Sequence, residues 1–396
     1  MQDKEIAHLL KEFRISESVG FVLECPAVEL PAKFAAWAQI CDSMPTLVEK
    51  HTVREAIGRM PLIDSSSIET YEQLRLAHLL LATLAAGYIW HAGEREASAF
   101  IPRQIAVPFW EISERLGTKP CVTHLTACLA NWRLVDPTGP ISALNMRLIA
   151  FRFIEDFGNE WFFLNTAQME IDFAPVLIEM IRACARSERV TDRNAQQAQH
   201  LAVTRALDVL AHTLHKSTAT LRDMRLHLRP DVFYHGFRRF MAGFSRGIYE
   251  QQGGIIFEGV DGIGPQKFDG GSAAQSSTLQ AADSFLGVKH RGAEAEFLLE
   301  QRNYMPPEHK RFLEFLDRKS PVQRLLPTSQ ALKCSFDNCM DALVVFRNQH
   351  IQIVASYIIA QRKTDENSVL AQHGTGGTGF VAFLKAIRDN LTKYYK

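Results

Sequence analysis

The sequence predicts an all-α protein. Three observations carry that expectation. Several long segments repeat apolar residues at helical spacing, one stretch alone looks strand-like, and strands do not alternate with helices as a parallel sheet requires. The strand-like stretch, "GGIIFEGV", is short and opens on two glycines. A turn-rich segment, "VDPTGPISA" at residues 135–143, predicts a boundary near residue 150, with a smaller unit over 1–150 and a larger one over 151–396.

The helices come in order along the chain. Asp3 is placed to cap a helix carrying Ile6, Leu9, Leu10 and Phe13. "AHLLLATLAAGYIW" at residues 77–90 is a 14-residue apolar run, too short to span a bilayer and suited to a buried helix. Pro108 and Gly117 bracket a short helix as its first residue and its C-terminal stop. Residues 192–226 carry Val203, Leu207, Leu210 and Leu214 on one stripe. Ser320-Pro321 starts another helix, a long one through residue 350 comes next, and a last one begins near Gly379 with Phe380, Phe383, Leu384, Ile387 and Leu391. Two loops interrupt the pattern: residues 251–277, with seven glycines, and residues 361–379, ending in "GTGGTG". Loops of that length in a compact domain are usually functional or disordered.

Bulk properties restrict the function classes. The chain has 396 residues, 46% apolar and 22% charged, enough for one large or two ordinary globular domains. Lys+Arg and Asp+Glu balance at 44 each, so nothing points to a nucleic-acid partner. Seven scattered cysteines form no C-x-x-C pair and read as reduced thiols of a cytoplasmic protein. The charged N-terminus lacks the apolar core of a signal peptide, and no membrane association is expected.

The helix through residue 350 poses the main chemical question. Leu332, Phe336, Cys339, Leu343, Phe346, His350, Ile353 and Tyr357 recur every three or four residues on one face. Every member but His350 is apolar or aromatic. A buried imidazole without partners costs roughly 1–3 kcal/mol. His350 is therefore either a hydrogen-bonded core histidine or a metal ligand, kept neutral by burial.

Other motifs are weaker. "GTGGTG" at residues 374–379 matches a dinucleotide-binding pattern but lacks the preceding strand, and "DFG" at 156–158 lacks the remaining kinase elements. His212 and His215 share a helical face without an evident third ligand, as a solvated or structural pair would. "RPDVFYHGFRRFMAGF" at residues 229–244 mixes arginines with aromatics. It fits a solvated helix surface, or a pocket wall with one Arg turned inward to hold a carboxylate.

Taken in chain order, "LANW" with "DP", "FFL", "GGSAAQSS", "NYMPPEH", "HIQIVASYI" and "GTGGT" make the sequence resemble the indoleamine 2,3-dioxygenases, monomeric haem enzymes that cleave the indole ring of tryptophan. The resemblance implies an all-helical fold with a smaller N-terminal domain contributing to the distal pocket and a larger haem-binding catalytic domain. It implies haem b, ferrous in the active form, and O2 and tryptophan or a related indole as substrates. His350 falls on the proximal iron ligand, Arg347 on a propionate-contacting residue, and Asp283 on the acid that pairs with it. Gly271, Ser272 and Ala273 match a loop over the haem. Phe162, Thr166, Phe233 and Arg238 match the catalytic pocket, with Arg238 as the carboxylate-binding residue. Thr375 and Gly376 fall on a mobile loop that closes on the substrate.

His124 stands where vertebrate members carry Tyr in the distal pocket. This substitution opens a substituted tryptophan or another indole as the substrate. A haem-binding sensor with little turnover is a further alternative from a different class. The reaction the resemblance implies requires no side-chain general base, and the sequence shows no obvious His–carboxylate pair for the distal wall.

Overall fold

The computed structural model describes residues 2–186, 193–362 and 380–394. Helices build the molecule, as expected. The 77–90 run lies in a helix spanning Tyr71–Trp90, buried continuously from Leu74 onward. Thr70 caps it, accepting from the Gln73 amide at 3.2 Å. Because this helix is apolar on all sides, it needs cover on every face. The helices Ala35–Asp42, Val53–Gly58 and Arg103–Leu116 supply that cover. Among the described residues no helix is long and apolar enough to cross a membrane.

The larger assembly is built on two long helices, Arg193–His227 and Gln330–Val354, which pack against each other more extensively than any other pair. Val203, Leu207, Leu210 and Leu214 of the first are fully buried, as are Leu332, Phe336 and Cys339 of the second. A polar tie crosses the pair: Arg222 Nε donates to Gln349 Oε1 at 2.9 Å. Ser329 caps the second helix, accepting from the Leu332 amide at 3.3 Å. Ser329→Ala is expected to destabilise the protein by about 0.5–2 kcal/mol, read as a lower urea midpoint with unchanged slope.

Three expectations need correction. The first helix spans Gln2–Glu12 and already includes Asp3, so Asp3 is not at its N-cap. Pro108 does not begin its helix, which starts at Arg103. Ile105, Ala106, Phe109 and Ile112 are fully buried on one face, and that burial outweighs the single backbone hydrogen bond a proline removes. Gly117 does end the helix, in the left-handed conformation at φ 66°. Finally, there are four strands of two residues each among the described residues, not one. Phe100–Ile101 pairs in parallel with Ile256–Phe257, inside the stretch that looked strand-like, and Arg133–Leu134 pairs antiparallel with Met146–Arg147. Strands this short leave no period-2 signal to read.

A close backbone crossing fixes the loop beside Arg238. A Cβ at Gly243 would come within 2.3 Å of the Gly270 nitrogen, and one at Gly270 within 2.1 Å of the Met241 carbonyl. Only glycine permits this approach. It clamps the 268–271 loop onto the segment after Arg238, through Phe244 N to Phe268 O at 2.7 Å and Gly271 N to Met241 O at 3.0 Å.

Candidate functional site

The two long helices, the helix Phe157–Asp172, the short helix His124–Ala127 and the clamped loop enclose one chamber of about 320 Å³. Its volume falls within the usual range for small-molecule sites. Leu343, Phe346, Ile353, Leu221, Met224 and Phe162 give it a largely apolar lining. Polar groups enter at a few places, and the expected site residues lie at them. His124, Phe162, Thr166, Phe233, Arg238, Gly271, Ser272, Ala273, Asp283, Arg347 and His350 all line this chamber. Thr375 and Gly376 lie outside the described residues.

His350 is partly buried, with its ring on the chamber. No hydrogen bond is made to it among the described residues. Burial, reinforced by the charge of Arg347, lowers its pKa to about 4, so the imidazole is neutral at physiological pH. A core histidine ordinarily has a hydrogen-bond partner, and His350 has none among the described residues. Among the described residues no cluster of three His, Cys, Asp or Glu could hold a metal. A metal at His350 would therefore take its other ligands from a cofactor.

One turn earlier on the same helix, Arg347 turns to the chamber edge. Its Nη2 donates to both carboxylate oxygens of Asp283, at 2.5 and 2.7 Å, and Nη1 donates to the Ile387 carbonyl at 2.7 Å. His290 Nε2 sits 3.1 Å from Asp283 Oδ2 and extends the pair into a triad. Burial alone would raise the Asp283 pKa, but Arg347 and then His290 overcome it and hold the carboxyl below its usual range. Gly271 lies on the chamber lining, beside Val122 and Thr123. A Cβ there would meet nothing closer than 3.7 Å, so polypeptide packing does not demand glycine at this position.

Phe162 and Phe233 face each other with ring centroids 5.0 Å apart. Phe233 lies in a π-helical turn, Val232–Phe237, and Tyr357 in another, Ala355–Ile359. Such turns are rare and often occur at functional sites. Tyr357 Oη donates to the Leu228 carbonyl at 2.6 Å, and its ring meets Phe233 edge-on with centroids 6.0 Å apart. Thr166 donates its hydroxyl hydrogen to the Phe162 carbonyl at 2.8 Å, so it offers the chamber a methyl group and an acceptor oxygen. Arg238 comes directly after the first π turn and is buried at 4% exposure, its guanidinium carbon 5.4 Å from the Tyr234 ring centroid. Burial lowers its pKa, with Tyr234 and Glu94 acting in the opposite direction. A guanidinium nevertheless stays charged in a protein. Of the sequence alternatives for the 229–244 stretch, the pocket wall with an inward Arg is the one observed, and Arg239 turns elsewhere to the Trp90 carbonyl at 3.1 Å.

The distal wall overturns one expectation. It does contain a His–carboxylate pair, because His124 Nε2 lies 2.8 Å from Glu170 Oε1 with both side chains almost wholly buried. Glu170 also accepts from Ser276 Oγ at 2.6 Å and from Thr278 Oγ1. The His124 backbone amide donates to Gln275 Oε1 at 3.0 Å. Three chain segments are thus tied around one carboxylate. Sequence reading missed Glu170, Ser276 and Thr278. A signal for Glu170 existed: Phe162, Thr166 and Glu170 recur every fourth residue and share one helical face.

An all-α chain closed around an apolar chamber, with a neutral imidazole at its wall that has no partner among the described residues and an arginine ion pair at its edge, has the make-up of a helical haem oxidoreductase. Comparison with known proteins agrees. The family model described as indoleamine 2,3-dioxygenase matches residues 9–394. Indoleamine 2,3-dioxygenase 1 of Rattus norvegicus is 34% identical, over 97% of this chain and 95% of its own length. Indoleamine 2,3-dioxygenase of Saccharomyces cerevisiae is 29% identical, over 96% and 92%. A protein named myoglobin from Haliotis diversicolor is 34% identical, over 98% and 99%. The chain belongs to the indoleamine 2,3-dioxygenase family.

Proposed function

We propose that this protein is a haem b dioxygenase that adds both atoms of O2 across the indole C2–C3 bond of L-tryptophan, giving N-formylkynurenine. The observation that carries this reading is the neutral imidazole of His350, without a hydrogen-bond partner among the described residues, on an apolar chamber that also holds a buried arginine. Haem, when bound, supplies the iron that activates O2.

The remaining work falls to the chain itself. His350 offers its neutral nitrogen to the iron. Arg347, fixed by Asp283, would hold a propionate, and Gly271, Ser272 and Ala273 would line the haem site. Phe162 and Phe233, packed side by side, offer the indole ring an aromatic wall, and the apolar lining excludes water. Arg238 orients the amino acid by its carboxylate. Residues 1–150 contribute the His124 wall and residues 151–396 the cofactor-holding part.

The test is direct. The purified protein, loaded with haem and reduced, should consume tryptophan and O2 together and release a kynurenine-type product. Arg238→Ala should weaken tryptophan binding by about 1.5–3 kcal/mol, a rise in KM of roughly 10- to 150-fold, with haem content unchanged. An unaltered KM removes Arg238 from the carboxylate site. A second reading is a haem-binding protein with little turnover, which the relative named myoglobin at equal identity favours. It predicts haem loading with negligible product under saturating O2 and reductant.

A further inference from the structure

The His124–Glu170 pair is not used by the reaction as described, yet it is built into the same chamber. The two side chains are 6% and 5% exposed, and their contacting atoms are 2.8 Å apart. Glu170 receives three donors, from His124, Ser276 and Thr278. A carboxylate so surrounded stays ionised, and a buried negative charge demands a positive partner. His124 is the cation within reach. Burial opposes charging this imidazole, and the Glu170 carboxylate 2.8 Å away favours it.

With Nε2 committed to Glu170, the second nitrogen, Nδ1, also carries hydrogen. It makes no hydrogen bond to an oxygen or nitrogen among the described residues. The neighbouring Cys128 thiol is a weak acceptor at best. His124 lines the apolar chamber, and its second donor has only the Cys128 thiol against it among the described residues. An unsubstituted indole cannot satisfy it, because the one polar group of the ring is itself an N–H donor.

We propose that His124 is a specificity-determining residue which selects indole amino acids carrying a hydrogen-bond-accepting oxygen on the benzo ring, and that Glu170 is the positioning residue holding it in the donor state. This rests on the reading of the chamber as an indole amino-acid site. A ring hydroxyl meets the Nδ1–H as acceptor, while the carboxylate end stays with Arg238.

The test is equilibrium binding to the haem-loaded protein, read from displacement of the haem absorption band. The ligands are tryptophan, its four benzo-ring hydroxyl derivatives, the methyl derivatives at the same positions and 1-methyltryptophan. In the wild type, the hydroxyl at one ring position should bind roughly tenfold or more tighter than the methyl there, the gain of a charged hydrogen bond. That preference should fall to about twofold or less in His124→Phe and His124→Gln, and shrink in Glu170→Gln, whose amide keeps the shape without the charge. Equal binding of hydroxyl and methyl at all four positions in the wild type overturns the proposal without recourse to any variant. It is equally overturned if methylation at N1 weakens binding in the wild type but not in His124→Phe, since the imidazole then accepts the indole N–H. Failure of every indole to bind removes the site reading and this proposal together. Binding and turnover of tryptophan without a hydroxyl preference removes this proposal alone.

Discussion

His350→Ala should abolish stable haem loading, leaving protein without a Soret band but with wild-type far-ultraviolet circular dichroism. The expectation of a retained fold comes from the structure. The imidazole makes no hydrogen bond among the described residues and is partly exposed to the chamber, so its removal leaves no buried partner stranded. The helix around it is secured elsewhere, by Leu332, Phe336, Cys339 and Leu343 against the facing long helix and by the Ser329 cap. Alanine is moreover the residue best suited to a helix interior. The variant thus separates cofactor binding from folding. Added imidazole should restore the band by occupying the vacated position. A normal Soret band in the alanine variant without added imidazole would remove His350 as the ligand and with it the proposed activity.

Arg347→Ala should destabilise the folded protein by about 3–5 kcal/mol, because it strands a buried carboxylate. Asp283 would keep only His290 as a charged neighbour, and the Ile387 carbonyl would lose its donor. Chemical denaturation of the haem-free protein measures this loss independently of the cofactor. The double variant Arg347→Leu with Asp283→Leu should recover much of it, since removing both charges leaves neither uncompensated. In the proposed role the double variant still binds haem more weakly than the wild type, because no guanidinium remains for a propionate. Equal stability of Arg347→Ala and wild type would show that the pair contributes nothing to the fold.

The helical architecture was legible in the sequence because long amphipathic helices repeat their apolar residues many times over. The stripe from Val203 to Leu214 and the face from Leu332 to Tyr357 lie where their spacing put them. Shorter or conflicting signals were misread. Pro108 looked like a helix start, since local backbone chemistry is visible in sequence and the burial of Ile105 and Ala106 that overrides it is not. Two-residue strands carry no period at all.

At the site, the resemblance and the helical spacing singled out the residues that line the chamber, but not how they are joined. Periodicity alone put a histidine on an otherwise apolar helix face, and chain order alone put Arg347 one turn before it. Only the folded structure shows that His350 has no hydrogen-bond partner among the described residues, that Arg238 and not Arg239 turns inward, and that Glu170 reaches His124 across 46 residues of chain. A contact between distant segments depends on how separate helices pack, and helical spacing within one segment is silent about it. The charge state of a buried group is set by such contacts, so the chemistry of the distal wall emerged only from the tertiary structure.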